Sequence, residues 1–200
     1  MINKEKQWDK LLNIKTSGRD DTKADQYHYP YEPTPYAVLE RLAAQGYIGK
    51  EQVVVDYGCG KGRVEFFLAY QTKCKVIGIE YDERMIKKAL ENHKEACSSG
   101  RVTFLSENAE EYIVDKDADR FYFFNPFSVT LLRSVIGRIR HSYYENPREM
   151  LLFFYYPSDE YIAYLMSIDE LTFVDEIDCK DLFPGNNMRE EILVFQFGMA

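Results

Sequence analysis

Short apolar runs alternate with amphipathic segments along most of the chain. Runs such as those at residues 53–55 and 150–156 are bounded by polar or turn-forming residues, and they predict buried strands. Between the runs, apolar residues recur at i, i+1 and i+4, as in Met85, Ile86 and Ala89, which share one face of a helix. This alternation predicts a parallel sheet covered by helices on both faces.

The pattern predicts seven strands with helices between most of them. The expected strands are Gln52–Asp56, Cys74–Glu80, Arg101–Leu105, Arg120–Asn125, Met150–Tyr156, Thr172–Cys179 and Glu191–Phe197. The last two are separated only by the turn-rich FPGNNMR, so they are expected to pair as a hairpin. The expected fold class is therefore α/β: a doubly wound, mostly parallel seven-stranded sheet with a C-terminal antiparallel hairpin.

The N-terminal part of the chain has a different character. It is polar up to residue 26, which predicts at most a short helix, around residues 8–14, followed by a mobile segment. A proline-rich extended stretch leads into a helix that Thr34 can cap, with Pro35 in its first turn. We therefore predict two parts: a partly mobile arm of residues 1–33, able to cover the site, and one domain of residues 34–200.

Charge and composition exclude several classes of protein. The net charge of −8 and the pI near 5.0 argue against a surface that binds nucleic acid by bulk attraction. The N-terminus lacks the apolar segment of a secretory signal, and no apolar run approaches the roughly 20 residues that span a bilayer. The cysteines and histidines are scattered, without metal-ligand spacing. We expect a cytoplasmic protein with reduced thiols, no metal and no membrane contact.

The clearest candidate chemistry lies in VVVDYGCGKGR, Val53 to Arg63. Three alternating glycines, Gly58, Gly60 and Gly62, follow a strand that ends at Asp56. Glycine lets the backbone approach a ligand closely and adopt positive φ. The spacing is neither the G-x-G-x-x-G of a dinucleotide site nor that of a P-loop. Cys59 is interpreted as a small residue that fits within this loop.

An acid follows at the end of the second strand. Glu80, in IGIEYD, lies about twenty residues past the loop, where a carboxylate can accept from both hydroxyls of an adenosine ribose. A helix cap is the alternative role, but Asp82 is better placed for that. One adenosine ligand therefore explains the loop and the acid together.

These motifs, with FLSENAEEY and FFNPFS, resemble class I S-adenosylmethionine-dependent methyltransferases over roughly residues 34–200. The resemblance implies that S-adenosylmethionine is the cofactor and that the loop containing Asp56, Gly58, Cys59, Gly60 and Gly62 holds its methionine part. It also implies that Glu80 binds the ribose, with Tyr81 beside it. By the same resemblance Asn108 and Ala109 lie beside the adenine, where many members of the family have Asp-Ala.

Asn125-Pro126-Phe127, at the end of the fourth strand, points to the acceptor. It resembles the Asn/Asp-Pro-Pro-Tyr/Phe motif of methyltransferases that act on amino groups, and only one proline is present here. The Asn oxygen and the proline carbonyl can accept hydrogen bonds from an NH₂ group while the ring packs on a planar acceptor. The alternative is a motif that only turns the chain.

Three tyrosines just upstream of the first strand complete the predicted site. In the family that the chain resembles, the segment before the first motif often covers the cofactor and contributes to the acceptor pocket. We therefore predict Tyr29, Tyr31 and Tyr36 as substrate-binding residues. The alternative is an extended arm that packs on the edge of the sheet.

The expected function is an S-adenosylmethionine-dependent methyltransferase that transfers a methyl group to nitrogen. The acceptor, whether protein, RNA or small molecule, is not identified by the sequence. A cofactor-binding sensor or partner subunit without catalysis stays open as an alternative. A nicotinamide-dependent oxidoreductase is a further alternative, against which the glycine spacing and the Asn-Pro-Phe motif count.

Overall fold

The structure, a computed structural model, describes residues 4–185 and 187–198. Its helices are α1 (Lys4–Leu12), α2 (Tyr36–Ala44), α3 (Arg63–Gln71), α4 (Glu83–Glu95), α5 (Val129–Glu145) and α6 (Asp159–Leu165). Its strands are β1 (Val53–Tyr57), β2 (Lys75–Glu80), β3 (Val102–Ser106), β4 (Arg120–Phe123), β5 (Met150–Tyr155), β6 (Leu171–Asp178) and β7 (Glu191–Phe197). The predicted arm, domain and FPGNNMR turn also include residues 1–3, 186 and 199–200, which lie outside the described residues.

The strands form one sheet in the order β3-β2-β1-β4-β5-β7-β6. The pairs β1 with β2 and β4, β2 with β3, and β4 with β5 are parallel. Strand β7 pairs antiparallel with both β5 and β6, so the predicted C-terminal hairpin is confirmed. The fold is the expected doubly wound, mostly parallel sheet of the Rossmann-like methyltransferase type.

Both faces of the sheet are buried, which explains the continuous apolar runs. Val54 packs in a cluster with Leu39 of α2 and Phe67 of α3. Its neighbour Val55 faces the opposite way, into a cluster with Ile136 of α5. Since successive residues of a strand point to opposite faces, a strand buried on both sides needs apolar residues at every position.

Strand order reverses between β1 and β4, and this reversal positions the site. The connections after β1 and β4 leave on opposite faces of the sheet, which opens a crevice at the carboxyl ends of the strands. The glycine loop follows β1, the Glu80 carboxylate ends β2, and Asn125 follows β4 by two residues. Three separate sequence motifs therefore meet at one edge of the sheet.

Several strand bounds differ from the prediction by one residue, helix α1 spans Lys4–Leu12 rather than around residues 8–14, and two further differences have a clear physical reason. Strand β4 ends at Phe123 rather than Asn125, because Asn125 has φ of 42° and left-handed backbone cannot continue a strand. The predicted Thr34 cap of α2 is wrong: the N-cap is Pro35, without a side-chain cap, and the buried Thr34 hydroxyl pairs with the Tyr122 hydroxyl at 3.2 Å. The Asp82 cap is confirmed, since its carboxylate accepts from the Arg84 N–H.

The N-terminal arm follows the domain surface to the crevice. Helix α1 packs Trp8 against Tyr36 and Phe67, with ring centroids 5.8 and 4.8 Å away. Farther along, His28 forms an antiparallel bridge with Phe127. The arm therefore reaches the residues that follow β4. In the part of the chain that the structure describes, no helix has both the length and the apolar character needed to cross a membrane.

Candidate active site

A cavity opens at the carboxyl ends of β1, β2 and β4, with the arm on its outer side. The predicted site residues that line it are Tyr29, Tyr31, Asp56, Gly58, Cys59, Glu80, Tyr81, Asn108, Ala109, Pro126 and Phe127. Gly60 and Gly62 lie in the same loop, and Asn125 lies between two lining residues, Phe124 and Pro126. Most residues predicted from separate motifs are therefore brought to one place.

The glycine loop has the backbone conformation that its residues predict. Gly58, Gly60 and Gly62 have φ of 84°, 55° and 88°, all in the left-handed region that favours glycine. The N–H groups of Gly58 and Cys59 both donate to the Ile79 carbonyl, at 2.9 and 3.1 Å. The start of α3 is thereby held against β2, with Gly58 and Cys59 of the loop lining the cavity.

Glu80, at the end of β2, holds the same loop in place through hydrogen bonds to its carboxylate. Its Oε2 accepts from the Gly60 N–H at 3.0 Å, and its Oε1 accepts from the Asp82 N–H at 2.9 Å. Each carboxylate oxygen keeps a second acceptor site. Burial is the largest effect on this group and raises the pKa of Glu80. The carboxylate can therefore hold the loop and still accept from the hydroxyls of a bound ribose.

We expect Glu80→Ala to weaken binding of S-adenosylmethionine by roughly 30- to 150-fold, which corresponds to about 2–3 kcal/mol. The variant loses the acceptor for the ribose hydroxyls and leaves the Gly60 N–H without its partner. Isothermal titration measures the dissociation constant, and circular dichroism checks the fold. Glu83→Ala, on the exposed first turn of α4, is the control. A dissociation constant within twofold of the original would rule Glu80 out as the ribose ligand.

The predicted adenine side of the cavity is partly occupied by the arm. The Tyr81 ring stacks on the His28 ring, with centroids 4.3 Å apart, and the Tyr81 hydroxyl donates to the Lys23 carbonyl at 3.2 Å. The Asn108 Oδ1 accepts from the Glu110 N–H at 3.0 Å in a local turn. That turn uses one of the two acceptor positions of the side-chain oxygen and leaves the other for an adenine amino group.

The three arm tyrosines have different surroundings. The Tyr31 ring packs on the glycine loop, where a Cβ added at Gly60 would lie 2.2 Å from it. Tyr29 is 41% exposed at the cavity. Tyr36, by contrast, is fully buried in the core, with its hydroxyl donating to Asp9 at 2.6 Å, and it does not line the cavity. The structure therefore brings two of the three predicted tyrosines to the site.

The Asn-Pro-Phe segment contains one acceptor atom without a donor. The Pro126 carbonyl accepts from the Tyr29 N–H at 3.2 Å, and the Phe127 carbonyl accepts from the Tyr161 hydroxyl at 2.5 Å. The Asn125 Oδ1 is buried and has no hydrogen-bond partner among the described residues. Since buried polar atoms are nearly always paired, an unpaired one beside a cavity points to a ligand.

Sequence analysis missed two charged residues behind the loop. Arg63 is buried and ties α3 to the arm: its Nε donates to the Thr16 hydroxyl at 2.8 Å, and its Nη1 contacts Glu5 and the Thr34 carbonyl. Glu65 is fully buried. An acid inside RVEFFLAY, a helix otherwise apolar after its first residue, was the available signal. Among the described residues, no group of His, Cys, Asp or Glu is arranged to hold a metal ion.

Comparison with known proteins matches this chain to a family. A family model for a methyltransferase domain matches residues 48–149. A protein-lysine N-methyltransferase of Saccharolobus islandicus (strain REY15A) is 32% identical over 82 residues, or 40% of this chain. The aligned part spans 51% of that relative, about half of its length.

Solved structures share the fold. An RNA methyltransferase from Salinibacter ruber, in complex with S-adenosyl-L-homocysteine, is similar with a TM-score of 0.52 and 22% identity, over 84% of this chain and 94% of that one. An rRNA methylase from Streptococcus thermophilus has a TM-score of 0.55 and 18% identity, over 85% and 99%. At these identities the likeness concerns the fold alone.

Proposed function

The chain belongs to the methyltransferase domain family, whose class I fold uses S-adenosylmethionine, and we propose that it methylates an amino nitrogen, the side-chain amine of a protein lysine. Bound S-adenosylmethionine supplies an electrophilic methyl group on a positively charged sulfur. The protein's own part is to hold the cofactor, to align the acceptor lone pair with that methyl group and to exclude water.

The cavity suits the cofactor because its loop is bare. A Cβ at Gly58 would lie 2.7 Å from the Pro126 Cβ, so the glycine keeps β1 and β4 close together. Gly60 presents backbone next to Glu80, whose carboxylate can accept from ribose hydroxyls. A glycine cradle beside a buried carboxylate fits an amino acid attached to an adenosine.

The observation that carries the amine proposal is the buried, unpaired Asn125 Oδ1. Leaving a buried acceptor without a partner costs about 1–3 kcal/mol, which a donor on the ligand would recover. An amine has N–H groups to donate, and a hydrogen bond to Oδ1 would fix the direction of its lone pair. Asn125 is held for this role by its left-handed backbone and by the arm, which occupies the neighbouring Pro126 carbonyl.

Lysine is favoured over RNA by charge and by the cavity wall. A net charge of −8 attracts a lysine-rich protein and repels RNA phosphates. Aromatic side chains line the cavity, namely Tyr29, Tyr31, Tyr122, Phe124 and Phe127. Such a wall can pack on the aliphatic part of a lysine side chain. The curated relative is also a lysine N-methyltransferase.

A tritiated-methyl transfer assay tests the proposal. The purified protein is incubated with labelled S-adenosylmethionine and with separate pools of protein, RNA and metabolites. We expect label that is sensitive to protease, resistant to ribonuclease and recovered as methyl-lysine after acid hydrolysis. Acetylation of the lysines in the protein pool is the control and should abolish labelling. Label sensitive to ribonuclease would contradict the lysine assignment, and tight cofactor binding without transfer to any pool would favour the sensor alternative.

A further inference from the structure

Glu65 lies behind the glycine loop, in the first turn of α3, where the proposed function gives it no task. Its side chain is fully buried, neither carboxyl oxygen has a hydrogen bond of good geometry among the described residues, and the Asp56 carboxyl group interacts with it. It fills the space that Gly78 of β2 leaves: a Cβ there would lie 2.6 Å from the Glu65 Oε1 and 2.9 Å from the Cys59 Sγ. Helix α3 and strand β2 therefore enclose this carboxyl group next to the loop.

The titratable groups that face Glu65 are carboxyl, thiol and phenol groups, and none of them is a base. The titratable groups that face it are Asp56 of β1, Cys59 of the loop, Glu80 of β2, Tyr122 of β4 and Tyr31 of the arm. The nearby cation, Arg63, directs its guanidinium toward the arm instead, with hydrogen bonds to Thr16 and the Thr34 carbonyl. Nothing in this list neutralises a carboxylate.

Asp56 is the neighbour that connects Glu65 to the cavity. It is 3% exposed, it lines the cavity, and in the sheet it is the register partner of Gly78, the residue against which the Glu65 carboxyl group packs. Two carboxyl groups in so dry a place cannot both ionise readily, since burial and like charge both favour the protonated form. Burial raises the pKa of Asp56 to about 7, and burial together with Asp56 raises the pKa of Glu65. At neutral pH the pair therefore retains at least one proton.

We infer that Asp56 and Glu65 form a pair that exchanges a proton for the positive charge of the cofactor. The inference rests on the cofactor of the proposed function. S-adenosylmethionine carries one net positive charge; when it binds, a carboxyl O–H of the pair ionises, its proton passes to solvent, and the new negative charge balances the sulfonium. After methyl transfer the sulfur is neutral, and the pair takes one proton back from solvent. Glu65 acts as a positioning residue, through Asp56.

The pair would make the site prefer the cofactor to its demethylated product. Below the pKa of the pair, binding a cation requires removal of a proton, so affinity for S-adenosylmethionine should rise with pH by up to about tenfold per unit. Above that pKa the carboxylate is already ionised, and the affinity should become constant. S-adenosylhomocysteine has a neutral sulfur, so its affinity should change little across the same range.

Isothermal titration from pH 5.5 to 8.5, in two buffers with different ionisation enthalpies, counts the protons released. S-adenosylmethionine and sinefungin, which has an ammonium group in place of the methylated sulfur, should each release up to one proton below pH 7. S-adenosylhomocysteine should release fewer. In Glu65→Leu, Asp56 loses the interaction with the Glu65 carboxyl group that lowers its pKa, while burial and Glu80 still raise it, so the break in the pH profile should move up. Glu91→Leu, on the exposed side of α4, is the control.

The possible outcomes test the inference separately from the proposed function. Cationic ligands that bind the original protein without releasing protons at pH 6–7 would overturn the inference, and this needs no variant. A folded Glu65→Leu variant with an unchanged pH profile would overturn it as well. Failure of all three ligands to bind at any pH would instead refute the proposed function.

Discussion

Gly60→Val should reduce affinity for S-adenosylmethionine by roughly 100-fold or more while the protein stays folded. Gly60 has φ of 55°, a conformation that a β-branched residue resists. A Cβ there would also lie 2.2 Å from the Tyr31 ring, so the loop or the arm has to move. Movement of the loop separates the Gly60 N–H from the Glu80 carboxylate, and movement of the arm removes the Tyr31 ring from the cavity wall. Isothermal titration gives the affinity, and thermal unfolding reports the fold.

Gly137→Ala is the matched control for this variant. Gly137 lies within α5 with no atom within 4 Å of an added Cβ, so the change should leave binding unaltered and stabilise the helix by about 0.5–1 kcal/mol. The double variant Gly60→Val, Tyr31→Ala then separates two causes. If removal of the ring restores binding, Gly60 makes room for the arm; if binding stays lost, Gly60 makes room for the ligand. A folded Gly60→Val protein with normal affinity would place the cofactor elsewhere.

Asn125→Ala should lower the rate of methyl transfer by roughly 100-fold or more and leave the dissociation constant of S-adenosylmethionine within twofold. The reason is location: the buried Asn125 Oδ1 is an unpaired acceptor just past the end of β4, whereas Gly60 and Glu80, the proposed cofactor-binding residues, lie on the side of β1 and β2. Single-turnover kinetics under saturating cofactor measure the rate.

Asn125→Gly controls for the backbone. Asn125 has φ of 42°, which alanine resists and glycine accepts, so the two variants differ in strain but both lack the carboxamide. An equal loss of rate in both assigns the effect to the side chain. Full activity in Asn125→Gly with loss of activity in His28→Ala would contradict amine transfer. It would favour transfer to oxygen with His28, whose Nδ1 lies 3.1 Å from the Asp25 carboxylate, as the base.

The secondary-structure elements and the glycine loop could be predicted from local sequence. The apolar run of β1 and the glycines after it express short-range rules: which residues can be buried on both faces, and which tolerate positive φ. The Asp82 cap was readable for the same reason, because its partner, the Arg84 N–H, lies two residues away. Each of these features depends on neighbours within one turn or one strand.

Tertiary structure decided the surroundings of the site. Tyr36 enters the core because Asp9 of α1 accepts from its hydroxyl, and Thr34 turns inward to Tyr122; these partners lie 27 and 88 residues away. The fold also decides the pairing of the Asn-Pro-Phe segment. The Tyr29 N–H of the arm donates to the Pro126 carbonyl, whereas the Asn125 Oδ1 has no partner among the described residues. Local patterns determine which element a residue joins, but burial and pairing depend on what the fold places against it.

The acid at position 65 shows the same division most clearly. In the sequence it is one glutamate in the first turn of a helix, a common place for an acid. Only the sheet, which places Gly78 against it and Asp56 next to Gly78, removes its water. The sequence by itself determined the fold class, the glycine loop and the identity of the acids. The packing of β1, β2 and α3 decided the charge of these acids, because ionisation depends on the solvation and the neighbours that only the folded chain provides.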